Sequence, residues 1–214
     1  MGLNREVVST LSINGVKVWE SEALPSYLQQ VEYVQSNGTA YVDTGLKGNN
    51  GYEVRITADI TGSQTEGYGH LFGTLTDNTK AISAPVSLSN GYLLECHFGD
   101  KILMYPADGS ANITIVERDA SLVVNSQTHE WGGGVTSFTT PDTILLFRAR
   151  GSDDILSSVK MSSCIVTENS VEKAELTPCV DTRNNKGCFY DWIRRICLYG
   201  HGADLISGPV VQRP

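Results

Sequence analysis

The chain has 214 residues, 24 acidic and 16 basic side chains, and a formal net charge of −8. That balance excludes a surface that tracks phosphates, because nucleic-acid affinity comes mainly from clustered Lys and Arg that displace counterions. Hydrophobic residues at 40%, charged residues at 19% and 21 glycines exclude a disordered chain and favour strands joined by tight turns.

Taken in order, residues Met1–Glu22 have no apolar signal core, and no stretch reaches the roughly eighteen apolar residues of a spanning helix, so neither export nor a membrane span is expected. Leu11 and Ile13, then Val16 and Val18, flank Asn14-Gly15, which predicts a β-hairpin arm. An isolated hairpin is marginal in water, so the arm must pack on something. Either it adds to the domain's own sheet, or it docks on a partner by strand addition with Trp19 as anchor. In the segment 24–45, the runs Leu28–Gln35 and Thr39–Thr44 flank Ser36-Asn37-Gly38, and Asn-Gly predicts a hairpin closed by a type I′ turn.

Tyr52–Ile60 carries the clearest alternation, with Tyr52, Val54, Ile56, Ala58 and Ile60 on one face and Glu53, Arg55, Thr57 and Asp59 on the other. This is a strand half buried against a core. Further strands are expected at His70–Leu75, Val86–Ser89, Tyr92–Phe98, Lys101–Tyr105, Ala111–Glu117, Ser121–Asn125, Thr143–Arg150 and Val159–Thr167. About a dozen strands at intervals of roughly ten residues, without a helical period, predict an all-β, two-sheet antiparallel sandwich or jelly roll. The domain is set at 23–214, with 1–22 as the arm. Arg194-Arg195, the one dense basic spot, reads as a solvated loop or strand end.

Chemistry is sparse. A glycosidase needs two carboxylates flanking the scissile bond, and the best same-face pair, Glu53 and Asp59, lies on a polar strand face, so no enzyme activity is expected. Cys96 and His97 are adjacent in a strand and point to opposite faces, which defeats a thiol–base pair. His70, His97, His129 and His201 lack ligand spacing, and Asp77-Asn78 and Asp153-Asp154 lack the spaced oxygens of a calcium loop, so no metal or cofactor is expected. Five cysteines without an export signal are expected to be reduced; Cys179, Cys188 and Cys197 are evenly spaced at nine residues, unlike paired zinc ligands. For sugar binding, Trp131 with His129 beside the Gly133-Gly134 loop is the most lectin-like cluster, and Tyr68 with His70 the second. Packing is the alternative role for each.

The stretch LPSYLQQVEYVQSNGTAYVDTGL from Leu24 and the tail LTPCVDTRNNKGCFYDWIRRICLYGHGADLISGP resemble the opening and closing elements of concanavalin A-like (laminin-G-like) jelly-roll domains. HLFGTL at His70–Leu75, FTTPDTILLF at Phe138–Phe147 and VKMSSCIV at Val159–Val166 match further blocks in the same order. The likeness spans about Leu24–Pro209 and departs from the family's usual closing turn at Ile196–Gly202. Such domains are common in gut-bacterial surface proteins and tailed phages. The resemblance, the arm and the missing export signal together imply a non-catalytic virion component, a capsid or tail decoration anchored through Leu11, Ile13, Val16, Val18 and Trp19 to other virion proteins. The alternative is a carbohydrate-binding module of an adhesin that engages host-surface glycans. A homo-oligomer is expected in either setting, with no nucleic acid or membrane as partner.

Overall fold

The computed structural model describes residues 10–13, 16–20, 23–60, 68–74, 80–87, 93–106, 113–118, 121–149 and 157–212. These form β1 (Thr10–Ile13), β2 (Val16–Glu20), β3 (Leu28–Gln30), β4 (Val34–Asn37), β5 (Val42–Asn49), β6 (Tyr52–Asp59) and β7 (Tyr68–Thr74). Then come β8 (Ala81–Ser87), β9 (Leu93–Gly99), β10 (Lys101–Pro106), β11 (Ile113–Arg118), β12 (Ser121–Val124) and β13 (Gln127–Glu130). The chain closes with β14 (Thr139–Leu146), β15 (Ser157–Glu168), β16 (Val171–Asp181), β17 (Lys186–Asp191), β18 (Ile196–Tyr199) and β19 (Ile206–Ser207).

All pairings among the described residues are antiparallel, and the domain is a two-sheet β-sandwich. One sheet has six strands in the order β10-β9-β8-β7-β14-β5; the other has eleven and runs β13-β12-β11-β6-β15-β16-β17-β18 with β3, β4 and β19 attached. Between them lies one apolar core that includes Phe72, Phe98, Phe147, Phe189, Ile56, Ile60 and Leu122, all fully buried. Burying each such side chain contributes about 1.5–3 kcal/mol. β6 follows its alternation, with Val54, Ile56 and Ala58 in the core and Arg55 exposed.

The opening stretch differs from its prediction. β4 and β5 are not paired with each other: β4 joins the larger sheet beside β15, and β5 joins the smaller beside β14. Ser36-Asn37-Gly38 is therefore a corner between sheets, not a hairpin turn. Only Gly38 adopts a left-handed backbone (φ 91°), whereas a type I′ turn needs two such residues. Asn37 Oδ1 caps the corner by accepting from Thr39 N (3.0 Å), Thr39 Oγ1 (2.8 Å) and Ala40 N (3.1 Å). The two-residue turns with paired positive φ fall at Asn125-Ser126 and Asn169-Ser170, where β12 turns into β13 and β15 into β16.

The same stretch completes the larger sheet. β15 and β16 pair from Glu168–Val171 to Cys164–Leu176. Beyond Cys164, β4 pairs with β15 at Met161 and Lys160, and β3 pairs with β16 at Cys179–Asp181. Because β6 already holds the other side of β15, β4 occupies the side that β16 has left. The C-terminal segment closes the wedge through β19 on β4, and Val210 bridges to Val31. The two stretches that carried the family resemblance thus pack on each other.

Arg194 is half buried in the turn after β17, not solvated as expected. Its Nε donates to the buried Asp191 Oδ2 (2.6 Å), and its Nη1 donates to the Thr44 carbonyl of β5 (2.6 Å), which ties the two sheets together. At the N-terminus, β1 and β2 pair as a separate two-stranded sheet, with Leu11 opposite Trp19 and Ile13 opposite Val16. Asn14-Gly15 and the side chains of the arm, those of Leu11, Ile13, Val16, Val18 and Trp19 included, lie outside the described residues.

Candidate functional site

The first sequence-predicted sugar cluster comes apart in the structure. Trp131 is 7% exposed and belongs to the core, where its indole stacks on Phe98 with ring centres 6.2 Å apart. Its Nε1 donates to the Arg118 carbonyl (2.6 Å), so a polar indole edge is satisfied inside the sandwich. A ring so held has no face left for a pyranose. His129 is half buried on β13, with its ring tilted against Tyr105 of β10 at 4.8 Å; Tyr105 OH donates to Gln127 Oε1 (3.2 Å). This contact closes the rim where the edge strands of the two sheets meet. The Gly132–Gly134 loop is open, with space around all three glycines.

The second cluster leads to a different surface. His70 is fully buried on β7 opposite Pro85, and the Tyr68 side chain lies outside the described residues. On β8, Ile82, Ala84 and Val86 enter the core, so Ser83 and Pro85, and with them His70, lie on the face of the six-stranded sheet turned away from it. One register row crosses all six strands on that face: Asp43 opposite Leu145, then Gly73, Ser83, His97 and Ile102. Glu95, two residues before His97, shares the face and lies opposite Met104.

This outer face carries the chemistry that sequence reasoning left unassigned. His97 is buried, and its Nε2 lies 2.8 Å from Oε1 of the partly exposed Glu95. Ser83 Oγ and His97 Nδ1, on register partners, are buried and have no hydrogen-bond partner among the described residues. On the edge strand β10, Ile102 and Met104 are 50% and 60% exposed. A carboxylate held at one oxygen by a buried imidazole thus sits beside two exposed apolar side chains. The signal for it was the Glu95-x-His97 spacing in a strand whose intervening residue, Cys96, is in the core.

Other charged groups are committed to the scaffold. Glu53 is held by Arg55 (3.0 Å) and Arg118 (3.4 Å). Asp181 accepts from Arg183 Nε (3.0 Å) and Nη2 (2.7 Å) and from Tyr199 OH (2.6 Å), which holds its carboxyl well below the usual carboxylate range, chiefly through Arg183. A cleft of about 280 Å³ lined by Glu32, Tyr33, Asp59, Lys160 and Ser162 offers no aromatic platform, because Lys160 lies 5.0 Å over the Tyr33 ring and Gly208 packs against it. Glu117 is fully enclosed in the sandwich, and neither carboxyl oxygen has a partner among the described residues; burial pushes its acid well above the usual range. No group of three or more His, Cys, Asp or Glu side chains among the described residues is placed to hold a metal ion. Asp77-Asn78 and Asp153-Asp154 lie outside those residues. No helix among them is long and apolar enough to cross a membrane.

No protein-family model matches the chain, and no curated protein matches it. Among solved structures the fold is similar to that of a "putative carbohydrate binding protein" from Bacteroides ovatus ATCC 8483, with a TM-score of 0.54 and 14% sequence identity. The match covers 85% of this chain and 62% of that protein, so this chain spans less than two thirds of its neighbour's length. At that identity the likeness establishes the sandwich fold alone.

Proposed function

We propose that the protein is a non-catalytic carbohydrate-binding module, and that its sugar contact is the outer face of the six-stranded sheet at Glu95, His97, Ile102 and Met104. The observation that carries this reading is the Glu95 carboxylate, partly exposed and fixed by His97 at 2.8 Å. A pyranose presents hydroxyl pairs at its rim and a C–H face beside them; a positioned carboxylate accepts from the first, and exposed apolar side chains cover the second. Holding the acceptor in place beforehand reduces the ordering cost of binding. The structural neighbour's description as a "putative carbohydrate binding protein" supports the same class. Trp131, the leading sequence candidate, leaves the site because its ring is in the core.

The virion setting drew on the arm and on the family resemblance. Neither the fold nor the comparisons bear on it, so the carbohydrate reading takes first place. A glycan array probed with the full chain and with Glu95→Gln tests the proposal. The expected result is saturable binding to a restricted set of glycans, weakened at least tenfold in the variant, since a hydrogen bond to a charged group contributes about 1.5–3 kcal/mol. Binding of equal strength in both proteins would remove Glu95 from the site, and no binding to any glycan would remove the function.

A further inference from the structure

The even nine-residue spacing of Cys179, Cys188 and Cys197 has a structural outcome that sugar binding does not use. β16 and β17 place Cys179 opposite Cys188, while β17 and β18 place Cys188 opposite Tyr199 and Tyr190 opposite Cys197. Residues two apart on a strand share a face, so all three thiols stand on one side of the larger sheet. They lie in a satellite cluster away from the main core, with Leu28 and Tyr190 among them and Tyr27 and Tyr199 packed against it. All three are free thiols.

Within that cluster the three are not equivalent. Across the β17–β18 pairing Cys188 and Cys197 are diagonal neighbours on one face, and the Tyr27 hydroxyl lies 3.8 Å from Cys197 Sγ. Cys179 and Cys188 are buried, whereas Cys197 is the one cysteine of the five with partial exposure. Cys197 also sits on β18, which among the described residues pairs only with β17. Diagonal positions need a backbone shift to reach disulfide geometry, and an edge strand, held on one side only, can take one up.

We propose that Cys188 and Cys197 form a thiol pair that closes to a disulfide by exchange with a small-molecule disulfide such as oxidised glutathione, with Cys197 reacting first. The Cys197 thiolate attacks one glutathione sulfur, forms a mixed disulfide and releases one glutathione thiolate, which takes up the proton that Cys197 lost. Cys188 then gives up its proton and attacks Cys197 Sγ, releasing the second glutathione as a thiol. The two protein thiols lose two electrons between them, and the glutathione disulfide gains them. Cys96 and Cys164 are buried in the main core and stay reduced.

The test is incubation of the full chain with oxidised glutathione, acid quench, alkylation after denaturation, and intact mass with peptide mapping. The expected product has lost two hydrogens, carries three alkylated cysteines and yields a cross-linked peptide pair holding Cys188 and Cys197. Cys188→Ser is expected to stop at one glutathione bound to Cys197, and Cys197→Ser to remain unmodified. Five alkylated cysteines in the wild-type chain, or a cross-link through Cys179, would overturn the proposal, and the wild-type map decides this even if a serine variant does not fold.

Discussion

Glu117 offers a test of the core that is independent of any ligand. Its side chain enters the sandwich from β11, between register partners Val54 and Leu122, with no hydrogen-bond partner for either oxygen among the described residues. Desolvation favours the neutral acid, so the folded pKa lies well above the usual glutamate value, and the neighbouring Cys96 thiol is likewise pushed up by burial. Above pH 4.5 the unfolded chain has released this proton while the folded chain keeps it. Fewer protons are then bound in the unfolded state, and stability falls as pH rises, by about 1.4 kcal/mol per pH unit, until the folded group also ionises. Glu117→Gln keeps the shape and removes the titration, so its stability curve is flatter over that window. Glu117→Leu also removes the unpaired polar atoms, which cost about 1–3 kcal/mol, and raises the melting temperature by about 2–4 °C for each kcal/mol gained. Urea unfolding followed by tryptophan fluorescence from about pH 4, the usual carboxyl range, up to about pH 8 reads the pH effect, and thermal melts read the second. Parallel pH curves for wild type and Glu117→Gln would refute the reasoning, since they would mean that the folded state already holds the carboxylate ionised.

Three other outcomes follow from the geometry. Trp131→Ala is expected to cost about 3–5 kcal/mol in urea unfolding, as a large-to-small change in a packed core, while the folded fraction keeps its glycan affinity; an unchanged stability would place the ring outside the core. Asp181→Asn is expected to weaken the protein most at neutral pH and least in acid. The depressed folded pKa of Asp181 gives stability that is present above the unfolded carboxyl range and lost as pH falls through the folded value; an equal loss at all pH values would contradict this sign. Arg194→Ala leaves Asp191 without its Nε–H donor and unties β5 from the turn after β17. Hydrogen exchange at β5 amides should rise above that of β11, and uniform exchange across both would contradict the tie.

What the sequence could reveal was decided by how local each determinant is. The alternation of Tyr52–Ile60 fixes both the strand and its buried face, because period two against a single core is a property of the segment itself. Asn37-Gly38 marks a turn equally well. Whether that turn closes a hairpin depends on the partners its flanking strands find far along the chain, β15 for β4 and β14 for β5. β13, QTHE, carries no strand signal in the sequence because an exposed edge strand has no apolar period to show. Trp131 beside three glycines looks like a binding loop in sequence; the bond from its Nε1 to Arg118 reveals a core residue. Glu95 and His97 were legible as same-face neighbours, but their pairing and their exposed neighbours Ile102 and Met104 emerge only when β9 and β10 are aligned.

The central claim is that a sugar is held on the outer face of the six-stranded sheet by Glu95 as its buried partner His97 orients it. Isothermal titration of the best array glycan against wild type, Glu95→Gln and Met104→Ala, with Gln127→Ala on β13 of the other sheet as control, tests it most directly. The account predicts that the first two variants lose affinity while the control binds as wild type does. Retained affinity in Glu95→Gln and Met104→Ala, with loss in Gln127→Ala, would contradict it and move the site to the rim formed by Tyr105 and His129.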